Sequence, residues 1–352
     1  MEYFKVEDCC EILDSQRIPI TGRDRVVGEY PYYGANGIQG YVDDYIFDDD
    51  LVLVAEDGGH FGSKTKPIAY KISGKCWVNN HAHVLQAKDV VDTDYLCYSL
   101  MFYDVEKIVN GATRQKLNQK QLRQMLVPKR SKSNQLEIVK QLKTVKRIID
   151  NKTTQLSEYD QLIKSRFVEM FADDFDDKLK WKALKKVCNF IDYRGKTPEK
   201  SDSGVPLITA KNVKENQFSR EPQEFIPTDN YKDVMTRGIP QINDVLFTTE
   251  APLGNVCRIP NIYETFCVGQ RLITMQPKMN TLTSEYLERA LLSKQFQQEM
   301  WRHSSGSTVK GIRSKLLVEI EIPVPEYEKQ KQFSKFIDQI DKLKFEECFM
   351  HN

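Results

Sequence analysis

The tightest grouping of residues with chemical potential is Gly59-His-Phe-Gly62-Ser-Lys64-Thr65, which gathers glycines, a lysine and hydroxyls as phosphate-cradling loops do. Such a loop needs four residues between its first glycine and a contiguous Gly-Lys-Ser/Thr. Here the spacing is shorter and Ser63 separates Gly62 from Lys64, so no nucleotide site is expected. A Gly-x-Gly-x-x-Gly is absent, and so is the Asn/Asp-Pro-Pro-Tyr/Phe tetrapeptide with which adenine-methylating enzymes hold a flipped base. Pro31-Tyr32-Tyr33 lacks the polar residue and the paired prolines. His81 and His83 stand two apart, which on a strand puts both on one face. With no third ligand near in sequence, satisfied or surface histidines are expected rather than a metal. The acidic runs Asp48-Asp49-Asp50 and Asp173-Asp174-Phe-Asp176-Asp177 read as solvated loops. Eight cysteines include no Cys-x-x-Cys pair, and Cys9-Cys10 reads as two half-buried thiols. No catalytic residues and no metal ligands emerge.

Polyanion recognition is what remains. Residues 107–152 place Lys107, Arg114, Lys116, Lys120, Arg123, Lys129, Arg130 and Lys132 beside the amides of Asn118 and Gln119. That mixture suits phosphate contact and hydrogen bonding to base edges. A weaker version recurs as Lys310, Arg313 and Lys315. Arg114, Lys116, Asn118, Lys310 and Arg313 are therefore the expected DNA-facing residues. Tyr32, Tyr33 and Asn36, in a Tyr-Tyr-Gly-Ala-Asn-Gly turn, are further candidates for which a structural role is an equal reading.

The 352 residues carry 51 Lys and Arg against 50 Asp and Glu, a net charge of +1. The balance conceals a polarity: residues 1–106 are net −10, residues 107–152 net +11, and residues 153–352 neutral. No run approaches the ~18–20 apolar residues of a membrane span, and the start, Met1-Glu-Tyr-Phe-Lys, lacks a signal-peptide layout, so a cytoplasmic protein is expected.

An internal repeat organises the chain. Gly111-Ala-Thr113-Arg-Gln-Lys-Leu117 through Val127-Pro128 lies on Gly306-Ser-Thr308-Val-Lys-Gly-Ile312 through Ile322-Pro323 at a constant offset of 195. Val78 to Lys88 matches Val268 to Lys278 less closely, and Cys10-Glu-Ile-Leu-Asp14 matches Cys188-Asn-Phe-Ile-Asp192. Each half reads as short strands with few helices, then a proline boundary (Pro128; Pro323 and Pro325), then a helix. After Pro128, Ile138, Leu142, Val145, Ile149, Lys152, Leu156, Tyr159, Ile163, Arg166 and Met170 follow the 4-3 spacing of a coiled-coil seam. From Asn134 to Met170 the helix would run roughly 55 Å. Phe333, Phe336, Ile340 and Leu343 give the second helix a similar stripe.

In their order and motifs these parts resemble the DNA specificity subunit of type I restriction–modification systems. Pro31-Tyr-Tyr-Gly-Ala-Asn-Gly-Ile-Gln-Gly-Tyr-Val-Asp-Asp with Leu53-Val-Ala-Glu-Asp-Gly, then Gly111-Ala-Thr-Arg-Gln-Lys-Leu-Asn and the heptad helix, resemble one half of such a subunit. Gly204-Val-Pro-Leu-Ile-Thr-Ala-Lys-Asn-Val-Lys, Gly254-Asn-Val and Gly306-Ser-Thr resemble the other, so the likeness covers nearly the whole chain. It implies an α/β (α+β) fold in which two target-recognition domains of mixed strands and short helices are separated by two long antiparallel coiled-coil helices. The expected divisions are residues 1–130, 131–172, 173–325 and 326–352. It further implies a non-catalytic subunit that reads a bipartite, asymmetric double-stranded DNA target. Its partners would be two methyltransferase subunits and translocating endonuclease subunits, which use S-adenosylmethionine, ATP and Mg. The alternative is a coiled-coil scaffold with two repeated protein-binding domains. One departure from the family stands out: a last helix starting near Glu328 spans at most roughly 37 Å, leaving the seam near Ile138–Val145 without a partner from this chain, so that either a methyltransferase subunit or another chain is expected to cover it or the gene product is a truncated variant.

Overall fold

The hydrophobic run Leu51-Val-Leu-Val-Ala55 is buried along its whole length because it is the inner strand of a sheet covered on both faces. It belongs to a computed structural model describing residues 2–111, 115–194 and 198–349, which divides into the units Met1–Lys152 and Thr153–Asn352.

In the first unit the core sheet has the order Cys10–Ile12, Ala82–Ala87, Leu51–Ala55, Ala69–Ile72, every pair antiparallel. Side chains alternate across it. Val52 and Val54 meet Leu96 and Leu100 of the helix Thr93–Met101, while Leu51 and Leu53 meet Phe47, Cys76 and Val78 of a second sheet. That sheet runs Gly37–Val42, Tyr30–Gly34, Lys75–Val78, Phe47–Asp48, with the middle pair parallel. Asp92 starts the covering helix by accepting a hydrogen bond from the Tyr95 amide at 3.0 Å.

The second unit repeats the plan. Its core sheet runs Cys188–Asp192, Leu272–Pro277, Val245–Thr249, Leu253–Arg258, again antiparallel. Val245 and Phe247 meet Tyr286 and Leu287 of the helix Ser284–Leu292, and Leu246 and Cys257 face the other side with Ile208, Val213 and Val268. A two-stranded ribbon closes each unit, Tyr3–Lys5 with Leu126–Pro128 and Trp181–Ala183 with Glu321–Pro323. The covering helix is pinned to that ribbon the same way twice: Tyr95 donates to the Pro128 carbonyl at 3.0 Å and Tyr286 to the Pro323 carbonyl at 2.9 Å. The second unit adds a helix, Lys294–Arg302.

The central helix runs continuously from Lys132 to Asp176, 45 residues or roughly 67 Å. In the second unit the last helix, Tyr327–Phe349, lies antiparallel on its end: Asp174 meets Lys329, Phe167 and Phe171 meet Phe333, and Asp160 meets Lys344. Ile163, Phe333 and Ile340 are buried there, and Tyr159, Met170 and Phe336 pack partly against the same core. The seam residue Arg166 is a correction: it is paired at the surface with Glu169, and Phe167 and Phe171 fill the core. A straight helix drifts by about 20° per heptad from a 3.5-residue repeat, and this end packs on a globular core rather than on a single supercoiled partner. Asp174 is a second correction to the expected solvated acidic run, being buried between Lys180 and Lys329. In the first unit Ile138 packs partly on the domain core beside buried Val139, whereas Leu142, Val145 and Ile149 are exposed, as are Leu156 and Leu343 of the second unit. Among the described residues no helix is long and apolar enough to cross a membrane.

Candidate nucleic-acid interface

At one end of each core sheet a short loop is closed by a pair of reciprocal backbone hydrogen bonds. In the second unit Ser305 and Gly311 exchange them at 2.9 and 3.0 Å, and the Ile312 amide then binds the Thr249 carbonyl at 3.0 Å. Gly306 turns this loop with φ +115°, and a Cβ there would stand 2.0 Å from the Val309 carbonyl oxygen, so only glycine fits. Val309 and Lys310 are exposed at its far side. Buried Ile312 anchors its base, and exposed Arg313 precedes the short helix Ser314–Leu317. In the first unit Asn110 and Lys116 make the same exchange at 3.0 and 2.7 Å, and the Leu117 amide binds the Glu56 carbonyl at 2.8 Å. Leu117, the counterpart of Ile312, is fully buried. Arg114 lies outside the described residues.

A second pair of repeat-related groups flanks each loop. Asp57 bridges to Lys116 and holds the His81 ring at 2.9 Å, and Glu250 bridges to Gly311 and holds the Arg271 guanidinium at 3.4 Å. Arg271 sits in the left-handed region with φ 64° and its side chain is exposed.

Beneath each loop base lies an aspartate at the end of the edge strand. Asp14 takes the His83 ring nitrogen Nδ1 at 2.6 Å, the Val84 amide at 2.9 Å and the Gln119 amide at 3.0 Å. The other ring nitrogen of His83 reaches the Leu117 carbonyl at 2.8 Å. Arg17 and Lys116 bind Glu56 at 2.7 and 2.9 Å. Burial works against the Asp14 carboxylate, but His83, the Val84 amide and Arg17 outweigh it and hold its pKa below the usual aspartate value. Glu56 is likewise held low, burial being outweighed by Arg17 and Lys116. Ligand atoms of Asp14, Glu56 and His83 converge within 4.8 Å, yet Arg17 and Lys116 already supply the countercharge a cation would bring. In the second unit Asp192 takes Arg194 Nε and Nη2 at 2.9 and 2.7 Å, and Arg194 Nη1 reaches the Ile312 carbonyl at 3.4 Å. Burial is again outweighed, here by Arg194 and Ser314, so Asp192 also titrates low.

These two loop platforms sit in a chain whose residues 1–159 and 177–347 each match the model of the type I restriction modification DNA specificity domain. The chain belongs to the type I restriction modification DNA specificity family. It carries two copies of the domain, as its duplicated sheets and loops require. Similar relatives include a putative type I restriction enzyme specificity subunit, S.HindORF215P of Haemophilus influenzae, 23% identical over 97% of this chain and 88% of that protein. The MjaVIII specificity subunit of Methanocaldococcus jannaschii is 21% identical over 97% and 86%. The crystal structure of the type I restriction-modification S subunit from M. genitalium shares the fold, with a TM-score of 0.61 at 16% identity over 98% of this chain and 90% of that one.

Within this specificity-family fold the expected DNA-facing residues divide. Lys310 and Arg313 are exposed on or beside the second loop. Lys116 is at the surface of the first, tied to Glu56 at 2.9 Å. Asn118 is engaged otherwise: its side chain accepts from the Gln121 amide at 3.0 Å while Gln121 returns a bond at 3.1 Å, a capping box that starts the helix Gln119–Gln124. Tyr32 is buried beneath the Arg25 guanidinium, 4.0 Å above its ring, with its hydroxyl on the Ile20 backbone, so the fold rather than DNA uses it. Tyr33, on the second sheet, packs partly into the cluster between the two sheets, near Tyr70 of the core sheet. Asn36 is exposed and donates to the Gly58 carbonyl at 2.9 Å. Arg271, Asp14 and Asp192 were missed as contributors, although the aligned segments Val78–Lys88 and Val268–Lys278 pair His81 with Arg271, and Cys10–Asp14 and Cys188–Asp192 end on the two acids.

Proposed function

We propose that this chain is the DNA-reading, non-catalytic subunit of a type I restriction–modification complex, each domain addressing one half of a split, asymmetric target. Membership of the DNA specificity family supports DNA as the ligand. The observation that carries the division of labour is the duplicated loop platform: the same reciprocal pair of backbone hydrogen bonds closes Asn110 on Lys116 in one domain and Ser305 on Gly311 in the other, around different residues. Lys310, Arg313 and Arg271 would neutralise phosphates and orient the domain, while the loops' polar groups read base edges. Methylation and cleavage belong in this reading to two methyltransferase subunits and to endonuclease subunits using S-adenosylmethionine, ATP and Mg. The exposed apolar residues Leu142, Val145 and Ile149 of the central helix offer one of these partners a surface.

Competition between the cognate and an unrelated duplex, at two salt concentrations and in the presence of the methyltransferase subunit, tests this. Sequence-selective binding that weakens steeply with salt is expected. Salt-insensitive or sequence-blind binding, as a protein-binding scaffold would show, contradicts it.

A further inference from the structure

The two loops are held by equivalent acids but by different cations. At the position aligned with His83 the second domain has Ile273, buried and apolar, and the aspartate is bound instead by Arg194, two residues along the chain. We propose that His83 and Arg194 are positioning residues for DNA recognition, clamping the base of the first and second loop respectively, and that only the first clamp depends on protonation. This rests on the reading of the loops as DNA-contacting.

Both ring nitrogens of His83 face groups that only accept, the Asp14 carboxylate at 2.6 Å and the Leu117 carbonyl at 2.8 Å. A ring with one proton can donate to one of them; both bonds exist together only in the imidazolium. The charged groups around the ring are Asp14, Glu56 at 3.7 Å, Arg17, whose guanidinium lies 3.6 Å from Asp14 and 2.7 Å from Glu56, and Lys116, 2.9 Å from Glu56. Neither cation replaces the ring at the loop: Arg17 spends its donors on Asp14, Glu56 and the Ala82 carbonyl. When one proton leaves, the remaining one stays with the carboxylate, the stronger acceptor. The Leu117 carbonyl then loses its donor, and the loop base keeps only the Leu117 N–H hydrogen bond to the Glu56 carbonyl, the Asn110–Lys116 exchange and the Lys116–Glu56 ion pair. In the second domain the donor is a guanidinium, which supplies all of its N–H groups whether or not a histidine in the other domain loses a proton, so the link from Asp192 to the Ile312 carbonyl persists.

The consequence is half-site asymmetry. In the complex with methyltransferase subunits, discrimination against a base change in one half of the target should fall roughly tenfold once the pH is raised enough to remove one ring proton, while discrimination in the other half stays within about twofold. His83→Arg should remove this response, and Arg194→His should confer it on the other half. Equal responses in both halves, or a response surviving in His83→Arg, overturn the proposal. Hydrogen exchange on the unaltered complex, corrected for the intrinsic pH dependence, guards against a variant that fails to fold. Residues 108–111 and 115–118 should lose protection on the alkaline side relative to 303–306 and 310–313, and parallel behaviour of the two sets overturns the clamp. If the segments do differ but Lys310→Ala leaves DNA affinity unchanged, the DNA-contacting role of the loops is what fails.

Discussion

Gln135 and Gln330, 195 positions apart, make the same three hydrogen bonds in two copies of one fold. Gln135 accepts from the Asp92 amide at 2.7 Å and donates to the carbonyls of Val90 and Arg130 at 2.9 and 3.0 Å. Gln330 accepts from the Thr283 amide at 3.0 Å and donates to Thr281 and Pro325 at 3.0 and 2.8 Å. Both are fully buried, so each glutamine locks the start of a long helix to the N-terminal end of its domain's covering helix. Replacing Gln330 by Leu strands an amide and two carbonyls away from water and should cost about 3 kcal/mol. Urea unfolding measures it; an unchanged midpoint means the site rearranges or admits water.

The aromatic junction between the two long helices should dominate their packing. Phe333 lies 5.6 Å, ring centre to ring centre, from both Phe167 and Phe171. Phe333→Ala should cost about 3–5 kcal/mol, and Leu343→Ala, at a side chain 43% exposed, less than about 0.5 kcal/mol. Comparable losses would instead describe an evenly loaded coiled coil.

Acidification should loosen the same junction. Asp174, 2% exposed, is raised in pKa by burial, but the ammonium groups of Lys329 and Lys180, at 2.7 and 2.9 Å, outweigh this and hold it below the usual aspartate value. Between the lowered native value and the ordinary value of the unfolded chain, the unfolded state binds more protons. The stabilisation is therefore complete above the ordinary aspartate pKa and disappears as pH falls through the lowered one. Asp174→Asn should be less stable at neutral pH and show a shallower acid dependence in denaturation curves. An unaltered slope would remove Asp174 from the account.

The exposed stretch of the central helix makes a separate prediction. Leu142, Val145 and Ile149 are 39%, 53% and 59% exposed, and Lys140, Lys143 and Arg147 line a shallow groove with Leu136 beside them. Val145→Ser with Ile149→Ser should leave the melting temperature of the chain within about 2 °C while weakening association with the methyltransferase subunit about tenfold. A large drop in melting temperature with association unchanged would show that the face serves this chain's own fold.

What could be read beforehand was what repeats locally. The proline boundaries, the central helix and the glycine-turned loops are encoded by adjacent residues, and the constant offset from Gly111 to Gly306 exposed the duplication. Asn118 with Gln121 carries a capping signature that competes with its reading as a base contact, since the cap uses its side-chain oxygen and its backbone N–H. Long-range partners were not legible. His83 is satisfied by Asp14, 69 residues away, and by Leu117, 34 residues on, a relation created by sheet order alone. Tyr32 gave the same aromatic signal as an exposed stacking residue, and only the strand pairing that turns its ring inward decides against it. Phe167 displaced Arg166 because a step of one residue, about 100° around the helix, separates a seam toward a single partner from a face buried in a domain core.

The central claim is that two similar domains read two different half-sites. Its most direct measurement is methylation mapping in a host expressing this chain with its methyltransferase partner, repeated after Ser307-Thr308-Val309 is replaced by Ala-Thr-Arg, the residues at the aligned places in the first loop. The account predicts a bipartite, asymmetric methylated sequence in which the replacement alters or relaxes one half and leaves the other intact. A continuous palindromic site, or a replacement that changes both halves alike, would contradict it.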